Sequence, residues 1–166
     1  YLGGEFGSSP DSVNPYASSA FFSVDRVAAF LQGLGDFYKS GGLILCDRFT
    51  TSNAVHQAAK LPEHEQIPFA EWLFDFEYNK LGLPWPDMVI FLDVTPESSA
   101  SLIRKRGDDE DIHETDLGYL RRASEVARKL ASHYNWTTIK CDRDGIMRSP
   151  EDIAGEIYQK VLVFLD

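Results

Sequence analysis

Asp47 and Arg48 stand side by side where a short apolar run, Leu43-Ile44-Leu45-Cys46, gives way to a polar segment, Thr50-Thr51-Ser52-Asn53. A carboxylate can hold a divalent metal, and a guanidinium forks onto two phosphate oxygens at once. The uninterrupted apolar run reads as a strand buried on both faces, as in a parallel sheet covered by helices. Ligands of such sheets bind just beyond the carboxyl ends of the strands, which is where this pair falls. A lone Asp-Arg pair is also an ordinary strand-end salt bridge, so its chemistry depends on its company. Phe22 and Arg26, four residues apart, lie above one another on one helix. Such a Phe stacks on a flat ring while the Arg donates hydrogen bonds to it, or else it packs between two layers.

The elements that must position these groups follow from pattern and punctuation. Asn14-Pro15 predicts a helix start, with Asn as cap and Pro in the first turn. Tyr16, Ala20, Val24, Val27 and Leu31 recur at helical spacing as its expected core stripe, with Phe22 and Arg26 on the opposite side. Ser52 to Lys60 predicts a short helix. Pro68 to Leu81, rich in aromatics and stopped by Gly82, predicts an amphipathic helix suited to core or to a subunit interface. Met88 to Leu92, ending in Asp93, and Trp136 to Lys140 read as two further strands. Thr95-Pro96-Glu97 and Ser149-Pro150-Glu151-Asp152 each open a helix, and another spans 116–134 with Leu117, Leu120, Val126, Ala127 and Leu130 on one side. Strands separated by helices predict an α/β layered domain with a parallel sheet.

The 166 residues, 43% hydrophobic and 13% aromatic, fit one folded domain and exclude disorder. A net charge of −10, from 26 acidic and 16 basic residues, disfavours nucleic acid as a partner. A small anionic substrate stays possible where local arginines outvote the total. No apolar run reaches the length of a membrane span, and no signal peptide is evident. Cys46 and Cys141 fit neither a metal-site spacing nor a disulfide framework, which points to a reducing, cytoplasmic setting.

The ordered set Phe22-Ser23-Val24-Asp25-Arg26, Cys46-Asp47-Arg48-Phe49 with Thr51-Ser52-Asn53, Phe91-Leu92-Asp93-Val94, Arg104 to Arg106, and Asp111-Ile112-His113-Glu114 resembles the thymidylate kinase family along essentially the whole chain. The resemblance implies a parallel-sheet fold of P-loop kinase type, transfer of the ATP γ-phosphate to dTMP with Mg²⁺, and a homodimer. It implies that Phe22 stacks on thymine and that Arg26 hydrogen-bonds the ring. Arg48 grips the dTMP phosphate, Asp47 lies near Mg²⁺ through water, and Ser52 and Asn53 line the base and sugar pocket. His56 takes a position that is often Tyr in the family, against the sugar. Arg104 and Arg106 lead into a lid over the ATP phosphates, spanning about 104–114, with Asp111, His113 and Glu114 at its base.

Two departures qualify these expectations. The lid segment GDDEDIHE is almost wholly acidic, and no Gly-x-x-x-x-Gly-Lys-Ser/Thr occurs in these residues. The expectation is therefore a single, incomplete kinase domain over 1–166. It holds the dTMP half-site and lack the P-loop strand and helix, so it is inactive as a bare chain. The alternatives are a non-catalytic nucleotide-binding or regulatory module, a kinase for another deoxynucleotide or deoxynucleoside, and an acidic scaffold for protein contacts.

Overall fold

The Asn14 side chain accepts the Tyr16 N–H at 2.8 Å, and behind this cap α1 runs Pro15–Ala29, as the Asn-Pro start predicts. The computed structural model describes residues 3, 5–7, 9–106, 117–143 and 145–165, leaving aside the side chains of 10, 100 and 103–106. They form two compact units, Tyr1–Trp85 and Pro86–Asp166.

In the first unit α1 passes through a wide π-helical turn, Phe30–Leu34, into α2, Gly35–Lys39. Gly33 sits in that turn at φ 134°, a conformation that a side chain would strain. Then come α3, Thr50–Ala58, and α4, Glu63–Phe74. A second π-helical turn, Asp75–Lys80, extends α4, and Gly82 at φ 74° ends the run. The helix thus begins a turn earlier than Pro68, its acidic Glu63 and Glu65 complementing the positive end of the helix dipole. Residues 69, 70, 73, 74, 77 and 78 form its buried stripe; α4 packs on α3, where Ala54 and Ala58 are buried, and Leu83 is buried too. Tyr16 meets Phe69 and Trp72 edge-on, with ring centroids 5.1 and 4.6 Å apart.

Two expectations for this unit are corrected. The buried residues of α1 are Ser18, Ser19 and Ser23, while Tyr16, Val24 and Leu31 of the expected core stripe are exposed. The reason is chemical: the neighbouring element offers α1 a buried carboxylate, so a face of hydroxyls packs where an apolar stripe could not. Leu43 to Cys46 forms no strand, and Leu45 is 89% exposed. A segment becomes a strand only beside a partner backbone, and none lies against it among the described residues.

The second unit carries β1, Ile90–Asp93, and β2, Thr137–Lys140, which pair in parallel with Ile90 opposite Thr137 and Asp93 opposite Lys140. Both lie within the predicted spans. Around them stand α5, Pro96–Arg106, α6, Leu117–His133, and α7, Pro150–Leu165. The Thr95 hydroxyl accepts the Ser98 N–H and the Ser149 hydroxyl accepts the Asp152 N–H, so both predicted caps form. Tyr119, Ala123, Val126, Ala127 and Leu130 of α6 and Ile139 of β2 make the core, whereas Leu117 is exposed. Between β2 and α7 a small antiparallel hairpin joins β3, Asp142–Arg143, to β4, Ile146–Met147. No helix of the described residues is long and apolar enough to cross a membrane.

Candidate functional site

Six of the expected acceptor-site residues and one unexpected acid lie together in the first unit. The chain turns into α3 at Arg48, whose φ of 67° is left-handed, unusual for a residue with a side chain. That turn carries its guanidinium back along α3. Nε donates to the Ser52 hydroxyl at 2.9 Å, and Nη2 lies 2.6 Å from Nε2 of His56. As guanidinium nitrogens only donate, Nε2 of His56 accepts here. Arg48, Ser52 and His56, separated by four residues each, form one row, with Arg48 exposed and Ser52 and His56 half-buried. Strain in a left-handed residue at the turn into a helix is the kind of cost that functional sites carry.

A second group is buried. Glu77, in the π-helical turn after α4, is fully enclosed. Its carboxylate accepts from Nε and Nη2 of Arg26 at 2.7 and 2.5 Å, from the Ser23 hydroxyl at 2.8 Å, from the Thr50 hydroxyl at 2.6 Å and from Nδ2 of Asn53 at 3.3 Å. Burial alone would raise its pKa. The hydrogen bonds from Arg26, Thr50 and Ser23 and the Arg26 charge outweigh that and hold the carboxyl below the usual glutamate range. Asn53 also approaches Ser19, whose carbonyl lies 3.4 Å from Nδ2. The Arg26 guanidinium is further placed 6.0 Å from the centroid of the Phe49 ring. Phe22, one turn before Arg26, is half-buried.

Glu77 is absent from the sequence expectations, although its position carries a signal. It falls on the apolar stripe of 69, 70, 73, 74 and 78, where an ionisable residue is rarely tolerated without partners. Gln57, one turn beyond Asn53, was likewise not singled out. It is fully buried, and among the described residues neither its amide nitrogen nor its amide oxygen finds a hydrogen-bond partner.

Asp47 is exposed beside Arg48. Among the described residues no three His, Cys, Asp or Glu side chains gather into a metal-holding group. One open carboxylate nevertheless fits Mg²⁺, which keeps several waters and is commonly held by one or two carboxylates with substrate phosphates. Arg104, Arg106, Asp111, His113 and Glu114 lie outside the described side chains, so the lid expectation has no geometry to set beside it.

The second unit has its own strand-end cluster. Asp93, closing β1, is buried and accepts from Arg128 at 2.9 Å and from Lys140 of β2. Its carboxyl too is held low, since both bases outweigh the effect of burial. Asp142 accepts from the Thr95 N–H at 3.0 Å and hydroxyl at 2.5 Å, fixing the loop after β1.

A parallel strand pair with Asp93 at the end of one strand, helices around it, and Arg48 at the turn into α3 fit an α/β protein of the P-loop kinase type. Its family can be stated more narrowly. The thymidylate kinase family model matches residues 9–153, and the chain belongs to that family of phosphotransferases. It is 33% identical over 153 residues to the thymidylate kinase of Mycobacterium tuberculosis, covering 86% of this chain and 69% of the relative. With the thymidylate kinase of Caenorhabditis elegans it shares 29% identity over 150 residues, covering 90% of this chain and 61% of the relative.

Proposed function

We propose that this chain forms the dTMP-binding part of a kinase that transfers the ATP γ-phosphate to dTMP, giving dTDP. The observation that carries the reading is the row Arg48, Ser52 and His56 beside the buried set Arg26, Asn53 and Glu77 on the same unit. In it, Arg48 grips the acceptor phosphate, an anion that its planar fork suits. Phe22 stacks on the base and Arg26 donates to it. Ser52 and Asn53 line the pocket, and His56 meets the sugar while holding Arg48. Asp47 reaches Mg²⁺ through water, and the metal supplies charge neutralisation at the phosphates. Arg104 and Arg106 cover the ATP phosphates, with Asp111, His113 and Glu114 closing over the nucleoside. Phosphoryl transfer depends on positioning and electrostatics more than on covalent chemistry, so hydrogen-bonded arginines are apt groups for it.

These residues include no Walker loop, so the chain on its own binds dTMP without turning it over. Its working form is a cytoplasmic homodimer, and the exposed Tyr16, Val24 and Leu31 of α1 offer apolar area for the interface. Calorimetric titration of dTMP, dCMP and the Arg48→Ala variant tests the reading. Saturable dTMP binding that Arg48→Ala abolishes supports it. Tighter binding of dCMP overturns the thymidylate assignment, and dTDP formation by the bare chain overturns the claim of inactivity.

A further inference from the structure

The acid at 77 touches no expected ligand, yet it holds two residues that the acceptor-site reading aims at the base. Its two oxygens reach α1 through Ser23 and Arg26, and α3 through Thr50 and Asn53. A carboxylate only accepts. It therefore imposes a direction on every neighbour. Arg26 spends Nε–H and one Nη2–H on Glu77, which pins one edge of its planar fork and leaves three N–H groups to donate elsewhere. Asn53 must turn its NH₂ toward Glu77 and the Ser19 carbonyl, which sets Oδ1 on the other side of the amide as an acceptor. The Ser19 hydroxyl, 3.4 Å from Oδ1, agrees with that sense.

We propose that Glu77 is a positioning residue that sets nucleobase preference by fixing Arg26 as a donor and Asn53 Oδ1 as an acceptor toward the bound base, an inference that rests on the acceptor-site reading above. A donor paired with an acceptor matches the carbonyl and ring N–H edge of thymine. Cytosine presents an amino donor and a bare ring nitrogen along the same edge, so it meets both groups with the wrong polarity. A site built for one polarity rejects the other because its polar groups are left unpaired. Replacing the carboxylate by an amide weakens that direction: Gln at 77 can donate as well as accept, the Asn53 amide is left with only the Ser19 carbonyl and hydroxyl, each at 3.4 Å, to hold its sense, and one N–H of Arg26 faces an NH₂ group.

The test is dTMP and dCMP affinity by calorimetry in the wild type, Glu77→Gln and Glu77→Asp, with circular dichroism confirming the fold of each. Glu77→Gln is expected to weaken dTMP at least tenfold and to bring the dTMP:dCMP affinity ratio to within about threefold of unity. Glu77→Asp, still acceptor-only, is expected to weaken dTMP yet keep the wild-type ratio. A purely structural role lowers the amount of folded protein and leaves the ratio in the folded fraction unchanged. A folded Glu77→Gln that keeps the wild-type ratio overturns the proposal while leaving the acceptor-site reading intact. A wild type that does not bind dTMP overturns that reading first, and this inference with it. Should Glu77→Gln not fold, the free wild type decides by NMR. Slowly exchanging Arg26 Nε–H and Asn53 NH₂ protons, present before nucleotide is added, support a preset pair; fast-exchanging, averaged signals overturn it.

Discussion

Glu77 in the first unit and Asp93 in the second are both hidden from water and both held by bases, but the bases are treated differently. The Arg26 side chain that pairs with Glu77 is itself only 14% exposed, and two hydroxyls and an amide complete the set. The bases on Asp93, Arg128 and Lys140, are 41% and 66% exposed. The first arrangement is closed: every member depends on the others for its solvation. The second is open, because its cations can turn back to water when the acid is lost. A closed network fixes orientation at a high cost of disruption, and an open one neutralises a strand end cheaply. The difference suits a site where groups must present one face to a ligand.

The largest expected effect separates the two acids directly. Glu77→Ala leaves a buried guanidinium uncompensated and should cost about 3–5 kcal/mol in urea unfolding, whereas Asp93→Ala should cost less than half as much. Equal losses would break the comparison. The acid limb offers a companion reading. Both carboxyls sit below their ordinary values, so their contribution is present above about pH 4.5 and is lost as pH falls through the depressed folded-state values. Glu77→Gln should flatten that limb more than Asp93→Asn does.

A half-buried cation sharpens the contrast. Lys60 donates to the Val13 carbonyl and the Ser18 hydroxyl, both at 3.2 Å, and burial pulls its pKa down to about 8 against the opposing charge of Asp11. The unfolded chain keeps this proton up to about pH 10.4. Stability should therefore rise between pH 8 and that value, by up to about 2 kcal/mol after solvent screening. Lys60→Gln, compared by pH-dependent urea melts, should lack the rise. If both proteins show the same slope, burial is not what governs this lysine.

Smaller still is the strain at Arg48. Arg48→Gly should relieve the left-handed φ and raise stability by about 1 kcal/mol or less, as its exposed bonds to Ser52 and His56 return little. The same substitution should abolish dTMP binding. Opposite signs in melting and titration would mark strain kept for function, and a destabilised Arg48→Gly would show the turn to be structurally needed. Least of all, 1 M NaCl should reduce the Asp93 contribution by under about 1 kcal/mol and leave that of Glu77 unchanged in double-mutant cycles with their arginines.

The helix starts were legible in the sequence because a cap is a local event: Asn14, Thr95 and Ser149 each sit where they were expected. The strands ending at Asp93 and Lys140 were legible for the same reason of pattern, and their pairing is parallel, as expected of the sheet. Leu43 to Cys46 misled, since an apolar run reports what a segment needs and not whether a partner lies beside it. The buried face of α1 was hidden by its composition, as hydrophobic periodicity cannot anticipate serines bonded to polar partners, Ser23 to an acid some fifty residues away and Ser19 to Asn53. Ser52 and His56, four apart on the expected helix, share one face, whereas Arg48 precedes that helix and its place in the row could not be read from spacing. Nor could its hydrogen bonding to them, because it depends on a left-handed residue that no propensity favours.

The π-helical turn at Asp75–Lys80 makes this chain sensitive to insertions and deletions in a way that percentage identity does not register. Each residue of an ordinary α-helix turns the next by about 100°. Losing Asp75 or Phe76 would swing the carboxylate at 77 off the α1 and α3 side, while losing a residue after Tyr78 would tighten the turn and leave the acid where it is. Two relatives equally similar to this chain can therefore differ in whether their acid still meets its arginine, according only to where a one-residue gap falls.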